Sequence, residues 1–265
     1  MKKTDKELAY LWDLYIAPEW TRRFTENFDK NFKFDDEKEI LYLSAGTGAH
    51  VLELTEKLGL DIRILGYNED EELNVLARGK AEMAEIDVEF SGEYPRETFD
   101  LVIADASLVS TGDYDEFLAD AAELARDRFV FFMPTAGSFG EIYSLLWEAI
   151  VNAGVEDAAG TAERLIAALP QVSQLEAFAQ SLGLKRIKTY TTSESLDFEN
   201  GAAFVSSPLA NDLLFPMWLD ELEEADRENV LKELEKLIDE SSNGLSFRFA
   251  VKATVIVGDK EHDEE

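Results

Sequence analysis

The chain of 265 residues carries 56 acidic and 25 basic side chains, a formal net charge of -31, and no cysteine. The charge disfavours binding to nucleic acid or to anionic membranes, because no cluster of basic residues offsets it. The absence of cysteine excludes disulfides, thiolate nucleophiles and zinc sites built on thiolates. With 46% apolar residues, the chain can bury a substantial core, so we expect a folded, soluble protein.

The N-terminus starts with lysines, but Asp5, Glu7 and Asp13 interrupt the apolar stretch that a signal peptide requires. No run reaches the roughly 18 apolar residues that a membrane-spanning helix needs. We therefore expect a cytoplasmic protein without membrane or nucleic-acid partners. The oligomeric state is left open by the sequence.

The first half of the chain alternates strand and helix patterns. An N-terminal helical cap over residues 1–36, with a break at Pro18, comes first. The patterns then predict a strand from 39 that enters a glycine-rich turn, a helix over 49–59, strand 61–68, helix 69–84, strand 86–92, strand 99–107, helix 113–127 and strand 128–135. Nearly continuous apolar strands between helices indicate an α/β fold with a doubly wound, mostly parallel sheet that is covered on both faces.

The second half continues with helices and ends in strands. The patterns predict helix 140–154, a helical stretch to Pro170, helix 173–183, strand 184–195, a helical insertion at about 199–242 and a last strand over 245–258. No linker separates two cores, so we expect residues 1–265 to form a single domain.

A turn with the sequence SAGTGAH, residues 44–50, joins the first predicted strand to its helix. In doubly wound sheets a ligand binds at this place, and Gly46 and Gly48 leave room for it because they lack a Cβ. A dinucleotide fingerprint needs a further glycine where this chain has Val51. A nicotinamide-dependent oxidoreductase is therefore the weaker alternative. Another reading is that the glycines only form a tight turn.

The order of motifs resembles that of the class I S-adenosylmethionine-dependent methyltransferases. LYLSAGTGAHVLEL is similar to their first motif, ILGYNEDEELNVLARGKAE to the second, and TFDLVIADASLV to the motif on the fourth strand. DEFLADAAELARDRFVFFMPT resembles the passage into the fifth strand, and LWDLYIAPEWTRRF resembles the N-terminal cap. The resemblance implies a Rossmann-like, seven-stranded sheet, with a cofactor-binding half over 37–135 and a substrate-side half over 136–260.

The resemblance also implies S-adenosylmethionine as the cofactor and a set of residues that bind it: Ser44, Ala45, Gly46, Thr47, Gly48, Asn68, Glu69, Ser91 and Asp105. Three positions depart from the family pattern. Ser44 replaces a glycine, Tyr42 replaces an acid, and Asn68 replaces the acid that binds the ribose. An amide carries no charge to strengthen a bond to the ribose, so we expect weaker cofactor binding.

Methyl transfer from a sulfonium mainly requires alignment and a dry pocket, so no catalytic triad and no metal site are expected. Asp105, His50 and Tyr15 are the candidate catalytic residues. For His50, a solvent-facing or capping role is the alternative to a general base, and His262 lies in the charged tail.

Aromatic residues of the cap and the second half either line a substrate pocket or form the core: Trp12, Tyr15, Trp20, Phe139, Tyr143, Trp147, Phe215 and Trp218. The apolar character of the insertion favours a small-molecule acceptor. The alternative is a non-catalytic relative that has lost or weakened cofactor binding and acts as an interaction or regulatory module. The enzymatic interpretation depends on an open hollow above Gly46 and Gly48.

Overall fold

A computed structural model describes residues 3–59, 61–110, 112–155 and 160–260. His262 and the rest of the tail lie outside the described residues. The strands are β1 (Glu39–Leu43), β2 (Arg63–Tyr67), β3 (Glu89–Ser91), β4 (Phe99–Asp105), β5 (Ala125–Pro134), β6 (Leu184–Phe198) and β7 (Phe247–Lys260).

The α-helices follow the predicted periodicity. They are α1 (Asp5–Leu11), α2 (Arg22–Asn31), α3 (Ala49–Leu58), α4 (Glu71–Ala84), α5 (Tyr114–Glu123), α6 (Gly140–Asn152), α7 (Thr161–Ala168), α8 (Val172–Ser181), α9 (Gly201–Val205), α10 (Phe215–Trp218) and α11 (Glu224–Ser242). Two π-helical segments, Trp12–Thr21 and Leu209–Leu214, complete the described elements. The helical insertion before the last strand is therefore confirmed.

The sheet has seven strands in the order β3-β2-β1-β4-β5-β7-β6. β1 pairs in parallel with β2 and β4, and β2–β3 and β4–β5 are also parallel. The chain reverses its direction of winding beside β1, because β2 lies on one side of it and β4 on the other. The predicted doubly wound α/β fold is confirmed, and the carboxyl end of β1 is the switch point at which such sheets bind ligands.

The described residues form two compact units: those within 3–133, 172–191 and 253–260, and those within 134–171 and 192–252. The single-domain expectation stays a prediction. In the first unit, apolar residues of β1, β4 and β5 pack against α5 and α8, with Leu41, Val102 and Phe131 fully buried. In the second unit, aromatic rings form a cluster: Phe139, Tyr143, Phe204, Phe215, Trp218 and Phe249. The buried rings among these candidates therefore belong to the core of their unit.

The boundary between α5 and β5 differs from the prediction. Helical spacing of apolar residues continues to Ala125, which predicted a helix to 127, but α5 ends at Glu123 and β5 begins at Ala125. Phe99 pairs with Ala125, and the Arg126 guanidinium bonds Asp100 Oδ1 at 2.5 Å. Pairing with β4 outweighs the local helical pattern here.

Pro18 does not break the N-terminal cap, which is a second correction. The helix instead widens to a π-helix over Trp12–Thr21 and then continues as α2. Proline removes one backbone N–H donor, and a wider winding accommodates it without ending the helix. Among the described residues, no helix has the length and apolar character needed to cross a membrane.

Candidate functional site

The turn after β1 has a backbone that favours glycine at three alternate positions. Ser44 has φ 56°, Gly46 φ 56° and Gly48 φ 75°. Ala45 N donates to Tyr67 O at 3.1 Å, which ties the turn to the end of β2. Ser44 adopts this conformation at a cost of about 1 kcal/mol, so the turn keeps its shape where the family's glycine is missing.

The indole of Trp12 fills the hollow above Gly46. A Cβ built on Gly46 would lie 2.6 Å from Trp12 Nε1, and the three nearest heavy atoms all belong to this indole. A cavity of about 280 Å³ is lined by Ala49 and His50 of the turn, whereas the cavity directly at Trp12 and Gly46 has a volume of about 20 Å³. This volume holds about one water molecule. The expectation of an open hollow is therefore wrong for this structure.

A polar cluster holds the N-terminal segment, the π-helix Trp12–Thr21 that carries Trp12, in place. Asp13 Oδ1 accepts from Thr47 Oγ1 and from Lys80 Nζ, both at 2.6 Å. Burial by itself would raise the pKa of Asp13, but the bonds from Lys80 and Thr47 outweigh it and lower the pKa. The carboxylate therefore stays charged, and it joins the N-terminal segment to the glycine turn and to α4.

Asn68 makes its side-chain contacts within the protein. Its Nδ2 donates to Gly46 O and to Asn74 Oδ1, both at 2.9 Å, and the side chain is buried. A carboxylate at this position has no hydrogen to donate, so the asparagine holds the turn in a way that the family's acid cannot. Both amide hydrogens are used, and only Oδ1 is left to accept a bond from a ligand.

The lack of a side chain at Gly48 also serves packing, and the role of Gly48 in cofactor binding stays a prediction. A Cβ on Gly48 would lie 2.6 Å from Phe90 Cζ and 3.0 Å from Ala77 Cβ. A Cβ on Gly66 would lie 2.5 Å from the same ring. The two glycines therefore let β3 and α4 pack against the turn.

Asp105 ends β4 as a fully buried acid. Its Oδ1 accepts from Ser107 N at 2.8 Å, and Ser107 Oγ accepts from Trp20 Nε1 at 3.1 Å. Burial raises the pKa of Asp105 to about 6, against the opposing effect of the bonds from Ser107. Trp20 thus anchors the end of the N-terminal segment to the carboxyl edge of β4.

His50 is buried, so the solvent-facing or capping role is wrong. Its Nδ1 lies 3.0 Å from the Tyr42 hydroxyl, and its Nε2 lies 3.3 Å from Asp29 Oδ2. Burial raises the pKa of Tyr42 well above its usual value, so the phenol keeps its proton. His50 therefore connects β1 to α2 within the first unit.

No family model and no curated protein matches the sequence. Solved structures do match. The YcgJ protein of Bacillus subtilis has a TM-score of 0.55 at 15% identity, over 91% of this chain and 99% of that one. The phosphoethanolamine N-methyltransferase 2 of Haemonchus contortus, with S-adenosylhomocysteine, has a TM-score of 0.53 at 12% identity, over 98% of this chain and 58% of that one. The chain has the class I methyltransferase fold.

The methyltransferase fold also occurs in a structure named for another reaction. The cyclase SpnF matches with a TM-score of 0.50 and 14% identity, over 90% of this chain and 80% of that one. At these identities the likeness establishes the fold alone, because one fold supports many activities. Function must therefore be argued from the residues at the turn.

The structure brings only some of the predicted site residues to the turn. Ser44, Ala45, Gly46 and Thr47 line the small cavity, with Asn68 bonded beneath it. Glu69 is exposed, and Tyr15 is 42% exposed and does not line that cavity. Ser91 Oγ accepts from Glu93 N at 3.0 Å and closes a surface turn. The roles of Glu69 and Ser91 in cofactor binding and of Tyr15 in catalysis stay predictions.

Sequence reasoning missed the contacts of Asp13 and Lys80, which are far apart in the chain. It named Trp12, but as a wall of a substrate pocket or as core. No local pattern places an indole against a glycine 34 positions later in the sequence. Within the described ranges, no group of three or more His, Asp or Glu side chains could hold a metal ion.

Proposed function

We propose that this protein is an S-adenosylmethionine-dependent methyltransferase that acts on a small molecule. The observation that carries the proposal is the backbone of the turn after β1, with φ 56° at both Ser44 and Gly46. It lies at the switch point of the sheet. A matching methyltransferase from Haemonchus contortus is described in complexes with S-adenosylmethionine and with S-adenosylhomocysteine.

The cofactor does not fit the site in the conformation described. The cavity of about 20 Å³ is far below the roughly 300 Å³ at which ligand pockets begin. The obstruction is one side chain from the N-terminal segment, since the three atoms nearest to a Cβ on Gly46 all belong to Trp12. The proposal therefore requires that Trp12 leave the turn before the cofactor binds.

The proposed binding residues are those of the turn, 44–48, together with Asn68 and Asp105. Oδ1 of Asn68 can accept one bond, and its missing charge should weaken the interaction with a ribose. Glu69 and Ser91 are proposed only at the margin of the site, because the first is exposed and the second is engaged with Glu93. A cytoplasmic location belongs to the same proposal.

A second candidate is a non-catalytic protein with the same fold. Two observations favour it: the indole of Trp12 occupies the hollow, and both amide hydrogens of Asn68 are used inside the protein. In this alternative the N-terminal segment occupies the cofactor site permanently. Ligand binding decides between the two candidates.

Calorimetric titration and thermal unfolding with S-adenosylmethionine and S-adenosylhomocysteine test the proposal. A ligand at 100 times its Kd adds about 2.7 kcal/mol to the free energy of unfolding. We expect a rise in Tm and measurable heat with either compound, and none with NAD(H). If neither the native chain nor Trp12→Ala, which removes the obstruction, binds either compound, the non-catalytic alternative is correct.

A further inference from the structure

The N-terminal segment Trp12–Thr21 is held at its two ends by contacts of different strength. At the far end Trp20 is fully buried, and its indole donates to Ser107 Oγ at 3.1 Å. At the near end Asp13 and Lys80 pair at 2.6 Å with side chains that are 32% and 31% exposed. Partly exposed pairs contribute little to stability, whereas a buried indole contributes much. Of these two polar contacts, the one at the near end is therefore the more easily broken.

The winding of the segment also favours movement. Trp12–Thr21 is a π-helix with Pro18 inside it. Extended π-helices are rare, and the single turns that occur are frequent at functional sites. Proline further removes one backbone hydrogen bond. The segment is thus a less stable winding than the α-helices on either side of it.

From these contacts, and on the basis of the proposed function, we infer that Trp12–Thr21 is a latch on the cofactor site. The end of the segment that carries Trp12 and Asp13 moves away from the turn, while Trp20 stays in place. This movement removes the Trp12 indole from Gly46. The contacts among Asp13, Thr47 and Lys80 determine the fraction of molecules in which the latch is open. S-adenosylmethionine enters only the open form, so its apparent affinity equals the intrinsic affinity reduced by the open fraction.

Variants outside the hollow separate the latch from the binding residues. Asp13 and Lys80 do not line the small cavity at Gly46, although they line a cavity of about 280 Å³ that shares Ala49 and His50 with it. Asp13→Asn and Lys80→Met each remove the ion pair and leave Gly46 and Trp12 in place. Because both break the same contact, the double variant should open the latch about as much as either single variant. Leu14→Ala is the matched control, since Leu14 lies in the same segment and is 63% exposed.

Hydrogen exchange without any ligand tests the latch independently of the proposed function. We expect Asp13→Asn and Lys80→Met to exchange amides 12–17 and 46–50 several-fold faster than the native chain, with 99–105 in β4 unchanged. Leu14→Ala should match the native chain. Equal rates in all four proteins, or faster exchange that includes β4, would overturn the latch.

Stopped-flow measurement of S-adenosylmethionine binding then tests whether opening of the latch limits the association rate. We expect an association rate about threefold higher for Asp13→Asn and Lys80→Met and about tenfold higher for Trp12→Ala, with Leu14→Ala unchanged. Binding at the same rate by every variant refutes the latch and leaves the proposed function intact. Faster exchange without binding by any variant refutes the proposed function and leaves the segment as a mobile cap.

Discussion

Replacing the buried acid at the end of β4 should stabilise the protein in a pH-dependent way. Burial raises the pKa of Asp105 from 3.8 to about 6, because the ionised form is poorly solvated there. A folded-state pKa above the unfolded value means that stability falls as pH rises from about 4 to about 6. Two pKa units correspond to about 3 kcal/mol, which the native chain loses across this window.

Asp105→Asn removes the titration and can keep the bond from Ser107 N, because an amide oxygen is also an acceptor. The variant should therefore become more stable relative to the native chain as pH rises. About half of the change, roughly 1.5 kcal/mol, falls between about pH 5 and pH 8. Urea unfolding of both proteins at several pH values in this range measures it, well away from the pI of about 4.3.

Asp100→Asn is the matched control, since it tests the same substitution on an acid with the opposite shift. Burial would raise the pKa of Asp100, but the amides of Lys38 and Glu39 and the Arg126 guanidinium outweigh it and lower the pKa. A lowered pKa gives stability that is lost only as pH falls below the ordinary value of 3.8. Asp100→Asn should thus be less stable by an amount that is constant between about pH 5 and pH 8. A constant difference for Asp105→Asn as well would refute the reasoning about its burial.

Two further predictions concern packing around the turn and a buried ion pair. Gly48→Ala should destabilise the protein by more than Gly59→Ala in urea unfolding. Both glycines have a positive φ, but a Cβ on Gly48 would lie 2.6 Å from Phe90 Cζ, whereas a Cβ on Gly59 would meet no heavy atom within 4 Å. Equal losses of unfolding free energy in the two variants would contradict this explanation. Arg128→Met should cost about 3 to 5 kcal/mol at neutral pH, because it leaves the buried carboxylate of Glu37 unpaired. A loss below about 1 kcal/mol in the same assay would show that Glu37 is solvated without its partner.

The sequence predicts the fold well because its signals are local. Short apolar runs such as EILYL and FDLVIAD are typical of buried strands, and the helices between them favour parallel connections. The glycine turn was found for the same reason, since glycines between a strand and a helix mark a special backbone. The boundary of α5 and the continuation through Pro18 were missed, because strand pairing and helix winding there depend on partners elsewhere in the chain.

Whether the candidate cofactor site is open or filled by a side chain could not be predicted from local signals. Ser44 and Asn68 were read as departures that weaken a ligand site, and the structure adds that Asn68 donates to the carbonyl of Gly46. The space that a Cβ on Gly48 would take is occupied by Phe90, from a strand about 40 residues later. Such contacts join residues that no sequence pattern links.

By itself, the sequence determined the order of strands and helices, the glycine turn and the acidic, cysteine-free character of the chain. These follow from the local periodicity and composition of the residues. Only the tertiary structure decided that the indole of Trp12 lies against Gly46 and that Asp13 bonds Thr47 and Lys80. Whether a hollow is open depends on which distant side chain packs into it, and that is a property of the folded chain.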